Sequence, residues 1–137
     1  MWWIYALLSA FFAALTAILA KVGIKGVNSD LATAIRTSVI LFITWGIAIF
    51  RGGTATVTTL SKHNLLFLGL SGIATGLSWV FYFKALQIGK VSQVAPVDKL
   101  SVALAIVLSV IFLGESLTWK DAIGAALIVV GTLILIL

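Results

Sequence analysis

The chain has 137 residues, of which 62% are hydrophobic and 9% charged, with nine Lys or Arg against four Asp or Glu and a formal net charge of +5. A soluble domain carries about 45–50% apolar and about 25% charged residues, so this inventory cannot supply a water-facing surface. A mean hydropathy of +1.24 places the chain in a membrane instead. Cysteine is absent, which excludes disulfides, thiolate nucleophiles and cysteine metal sites. The cations are scattered rather than gathered in one patch, so no nucleic-acid partner is expected.

Five transmembrane helices of an all-α membrane protein are predicted, forming a single domain over residues 1–137. The first runs over about 2–21, and its apolar stretch is too long for a signal-peptide core, so it is expected to be retained as a span. Lys25-Gly26 can end it, and Asn28, Ser29 and Asp30 offer three successive N-caps for a second span over about 31–50, which Arg51-Gly52-Gly53 stops. Residues 54–64 are polar and β-branched and read as a loop or surface-lying segment. The third span covers about 65–87. The fourth covers about 91–113, with Pro96 in its early turns, where a proline disturbs few helical hydrogen bonds. The fifth covers about 118–137 and opens on Thr118-Trp-Lys-Asp121, the spacing of a capping box with aspartate in place of glutamate.

An odd number of spans puts the termini on opposite sides of the bilayer. With side A defined as the side holding Met1, the connections place Arg51, Lys62 and Lys120 on side A, and Lys21, Lys25 and Lys90 on the opposite side B. This balance gives the positive-inside rule no preference; it is what a chain inserting in both orientations needs, and equally what a chain with a weak orientation signal shows. Counting Arg36, Lys84 and Lys99 as well favours side B in the cytoplasm.

Four ionisable residues fall inside apolar segments: Arg36, Lys84, Asp98 and Lys99. Each costs about 2.5–3.5 kcal/mol at a helix centre, whereas one leucine returns about 0.3–0.6, so each needs a local reason. At about 1.5 Å per residue they lie about 8–12 Å from their helix ends, all from side B. Side chains lean toward a helix N-terminus, so Arg36, Asp98 and Lys99 lean outward while Lys84 leans inward. Brought together, these groups form a site able to receive a carboxylate, with Asp98 neutralising one cation. The structural alternative pairs Asp98 with Arg36 or Lys84 and lets the remaining cations snorkel. Trp79 and Tyr82, three residues apart on span three, can share a face and stack on an organic substrate, while Phe81 and Phe83 are expected to face lipid.

Trp2, Trp3, Tyr5 and Trp119 read as an interfacial belt on side A. Gly72 and Gly76 on span three, and Ser101 and Ala105 on span four, mark helix-packing positions, as do Gly124 and Gly131 on span five. The chain holds one histidine, His63, and neither an HExxH motif nor a Ser-His-Asp set stands out; GLSGIATG lies inside a span rather than at a strand-to-helix turn. No catalysis, metal or cofactor is expected.

The run SGIATGLSWVFYFKALQIGKVSQVAPVDKLSVALAIVLSVIFLGESLTWKDAIGAALIVVGTLILIL resembles the EamA-type repeat of the drug/metabolite transporter superfamily, above all in residues 82–90 and in 94–115 with its VAP step and FLGE helix end. The resemblance implies a transporter fold. Many such transporters carry two repeats in opposite orientations with the substrate cavity between them, whereas this sequence shows one. It is therefore expected to act as a half-size secondary transporter, in a homodimer that can be antiparallel or in a heterodimer with a paralogue, in a bacterial inner membrane. The small multidrug-resistance proteins, four-helix relatives by resemblance, use a glutamate in helix one. No carboxylate stands there in this chain, which points away from drug cations and toward a small organic metabolite such as an amino acid. Lys84 would then meet its carboxylate, Trp79 and Tyr82 its body, and Asp98 any coupling proton. The rival expectation is a non-transporting membrane subunit or lipid-handling partner whose buried charges are structural.

Overall fold

In the computed structural model, which describes residues 1–137, five helical segments are long and apolar enough to cross a bilayer, and there are no strands. Helix α1 spans Trp2–Gly23, α2 Ser29–Phe50 and α3 Lys62–Ile88. The fourth crossing is built from α4 (Val91–Asp98), α5 (Leu100–Leu108) and a π-turn over Ser109–Leu113, and α6 spans Trp119–Ile136. The helix ends follow from local chemistry. Asn28 is the N-cap of α2, its Oδ1 accepting from the Asp30 and Leu31 amides at 2.8 and 3.2 Å. Past Arg51 the chain turns through Gly52 at φ +71°, a left-handed conformation that glycine adopts at no steric cost. The capping box at α6 is present: Asp121 accepts from the Thr118 amide at 3.0 Å, and the Thr118 hydroxyl oxygen accepts from the Asp121 amide at 3.3 Å.

Two departures from the sequence-based expectation have local causes. The polar connection is ordered as a 3₁₀ segment over Gly53–Thr59, and α3 starts three residues early. Ser61 explains the early start, because its Oγ accepts from the Asn64 amide at 3.1 Å and so caps a turn of Lys62, His63 and Asn64. The fourth crossing is interrupted at Lys99. Pro96 has no amide hydrogen and its ring crowds the carbonyl one turn earlier, and three residues later the Lys99 amide is shared between Ala95 O at 3.3 Å and Pro96 O at 3.0 Å.

The chain divides into two compact units. The first, Ala20–Gln87, contains the end of α1 with α2 and α3. Its buried residues are Ala20, Ile24, Ser29, Thr33, Phe83 and Leu86, all at the end where α1 finishes, α2 begins and α3 finishes. Side chains lock that end by satisfying backbone groups a helix cannot satisfy itself. Lys21 Nζ donates to the Leu86 carbonyl, in the last turn of α3, and Gln87 Nε2 donates to the Val27 carbonyl at 2.8 Å. The buried Thr33 hydroxyl donates back to Ser29 O at 2.8 Å. By contrast every residue of α3 from 62 to 78 is exposed. The unit is packed at side B and open at side A.

The second unit comprises Met1–Leu19 and Ile88–Leu137. Here α6 packs on both α4 and α5. Thr132, 3% exposed, donates its hydroxyl to Pro96 O at 3.2 Å. Cross-helix bonds of this kind contribute about 0.6–1.7 kcal/mol in membranes, and this one adds to the bond that Pro96 O already receives from the Lys99 amide. At the far end of the π-turn the Ser109 carbonyl receives the amides of Gly114 and Glu115, with Gly114 left-handed at φ +67°.

Candidate substrate site

Arg36 on α2 is the best-defined of the intramembrane charges. Its guanidinium carbon sits 4.1 Å from the ring centroid of Phe83 and 5.9 Å from that of Trp79, both on α3. Trp79 and Phe83 are four residues apart and so share one helix face. Phe83 is 2% exposed, so the expectation that it faces lipid is corrected, whereas Phe81, at 69% exposed, fits it. The i,i+4 spacing from Trp79 was the signal for this placement. One guanidinium nitrogen, Nη1, is shielded and has no hydrogen-bond partner. Cation–π contact returns about 0.5–2 kcal/mol, less than the roughly 2.5–3.5 kcal/mol that an arginine costs mid-helix. A partner for the shielded Nη1 would offset more of that cost, since a hydrogen bond to a charged group contributes about 1.5–3 kcal/mol.

Tyr82 is half-buried and meets Phe83 edge-on, with centroids 5.5 Å apart and planes at 78°. Lys84 is exposed. Within this unit it is therefore Arg36, rather than Lys84, whose cation shares a surface with the tryptophan. In the other unit Asp98 and Lys99 form an ion pair at 3.2 Å, their side chains 34% and 57% exposed respectively. The pairing occurs at the helix interruption, and exposed pairs of this type contribute at most about 1 kcal/mol.

The small residues proposed for packing lie on open surface. An added Cβ on Gly72 or Gly76 would meet nothing within 4 Å, and Ser101 and Ala105 are exposed on α5. Gly124 and Gly131 are half-buried on α6.

Comparison with known proteins agrees with this architecture. The EamA-like transporter family matches residues 1–137. A Sinorhizobium protein named "Uncharacterized transporter in cobO 3'region" is 48% identical over 134 residues, covering 98% of this chain and 95% of that protein. An uncharacterized protein of Methanocaldococcus jannaschii is 33% identical over 66 residues, 48% of each chain. No solved structure matches. With five apolar crossings that fit a single EamA repeat and a family match along its whole length, the chain belongs to the EamA-like transporter family and is an integral membrane transporter.

Proposed function

We propose that the chain moves a small organic metabolite bearing a carboxylate, such as an amino acid, by secondary transport in a bacterial inner membrane. The observation that carries this reading is the Arg36 guanidinium, held against Phe83 and Trp79 with Nη1 shielded and unbonded. In this reading Arg36 receives the carboxylate, Trp79 and Tyr82 contact the apolar body, and Lys84 adds positive potential from the same helix. In the same reading Asp98 carries any coupling proton, with Lys99, 3.2 Å away, as its counter-ion when it is charged. The working unit is a dimer. The five helices of these 137 residues make one repeat, and alternating access uses a second, oppositely oriented one, which in this reading a second chain supplies.

Purified protein in liposomes is expected to exchange a labelled amino acid or other small carboxylate in a saturable way and to ignore organic cations. Saturable exchange of cations alone, or of no solute in a panel of both, contradicts the proposal. Assembly has its own measurement. Because the chain has no native cysteine, Ser61→Cys on side A and Ser92→Cys on side B, both exposed, can be labelled from one side of intact cells. An antiparallel homodimer requires partial labelling at both positions. Complete labelling of one and complete protection of the other restricts the partner to a parallel copy or a paralogue.

A further inference from the structure

The open end of the Ala20–Gln87 unit carries a feature that the transport reading does not use. Between the end of α2, the 3₁₀ segment and α3 lies a groove of about 610 Å³, lined by Thr44, Trp45, Ala48, Thr54, Val57 and Leu68. Leu68 also borders a second depression of about 390 Å³, whose walls include His63 and Phe67, with ring centroids 4.6 Å apart. The two hollows thus share Leu68 as a wall. In the larger groove the Thr44 hydroxyl is already bonded to the Ile40 and Leu41 carbonyls at 2.8 and 3.1 Å, while Thr54 there and His63 and Asn64 in the smaller depression supply the other polar side chains.

The charges that flank the lining segments in the sequence have one sign. Arg51 directly precedes the Gly52–Gly53 turn at one edge, and Lys62 stands between the lining residues Leu60 and His63 at the other. Asp30 is the unit's only carboxylate, at the opposite end of α2 and about 30 Å away along the helix axis. Depth is informative as well. Thr44 and Leu68 each lie six residues from their helix ends, Phe50 and Lys62, so the groove reaches about 9 Å below the level of the cations. A bilayer has headgroups at the upper level and the first acyl carbons at the lower one.

We propose that this groove binds an anionic phospholipid, its phosphate between Arg51 and Lys62 and the upper part of one acyl chain against Trp45, Val57 and Leu68. The site is separate from Arg36, which lies about 12–18 Å away along α2 from the residues Thr44 to Ala48. It holds a resident lipid at the side A interface and does not depend on what the transporter carries. Each interfacial cation strengthens binding to an anionic surface about fivefold.

Trp45 provides the readout. In a chain carrying Trp2→Phe, Trp3→Phe, Trp79→Phe and Trp119→Phe it is the remaining tryptophan of the five. Reconstituted in phosphatidylcholine vesicles containing a small fraction of chain-brominated lipid, its fluorescence should be quenched more by brominated phosphatidylglycerol than by brominated phosphatidylcholine at equal mole fraction. Arg51→Gln and Lys62→Gln should each lower that preference about fivefold, with helical circular dichroism unchanged. Equal quenching by the two lipids would show Trp45 to be merely lipid-facing and would overturn the proposal. So would a phosphatidylglycerol preference that survives in the double variant, or quenching by neither lipid.

Discussion

Arg36→Gln is expected to lower the apparent substrate affinity in proteoliposome uptake by about 100-fold while leaving the melting temperature of the purified protein unchanged or higher. The two effects have opposite signs because one side chain plays two parts. Toward substrate it offers a shielded donor, Nη1, and a lost hydrogen bond to a charged group at about 3 kcal/mol corresponds to about two orders of magnitude in binding. Toward the fold it is a charge in an apolar setting whose aromatic contacts return only part of its cost, so a neutral side chain removes a penalty. Arg36→Lys keeps the charge but loses the planar fork and the stacking on Phe83, and should fall between wild type and the glutamine variant. A structural role alone predicts the reverse pattern, in which stability drops and affinity is spared.

Phe83→Ala should be the most destabilising single substitution in the Ala20–Gln87 unit, by about 3–5 kcal/mol if the site does not collapse. The ring is 2% exposed and lies beside the end of α3 that Lys21 and Gln87 tie to the α1–α2 region. It also forms the near face under Arg36, at 4.1 Å from the guanidinium carbon. Phe83→Leu separates these functions. It retains most of the buried volume, so the stability cost should fall to about 1.5 kcal/mol or less, but it removes the π-face that orients the guanidinium. Denaturation in detergent together with uptake by the same preparations checks both variants. Normal substrate affinity in Phe83→Leu would mean that the aromatic contact does not position Arg36.

Much of this architecture was legible from single residues. Asn28, Thr118 and Asp121 announce their helix starts because capping is local chemistry that needs no tertiary context. The number of crossings follows from apolar length alone. The interruption at Lys99 was less legible, since the sequence shows Pro96 but not that Thr132, 36 residues later, would take up its carbonyl. Around the site, charge burial singled out Arg36, Lys84, Asp98 and Lys99 on cost, yet cost does not say which cation meets which ring. That depends on the rotation of α2 against α3, which single residues do not state; Ser29 and Thr33 on α2 and Phe83 and Leu86 on α3 are the residues buried at the closed end. The small-residue positions Gly72, Gly76, Ser101 and Ala105 show the limit most clearly. Their spacing speaks of close approach without naming a neighbour, and no neighbour within this chain covers them.

The most direct measurement compares thermal stabilisation of the purified protein by a small carboxylate and by its primary amide, in wild type and in Arg36→Gln. A ligand that binds only the native state raises apparent stability in proportion to the logarithm of its concentration over its dissociation constant. The acid should raise the melting temperature of the wild type, the amide should not, and the difference should vanish in Arg36→Gln. Equal shifts from acid and amide, or an acid-specific shift that persists without Arg36, would contradict a carboxylate held at its guanidinium.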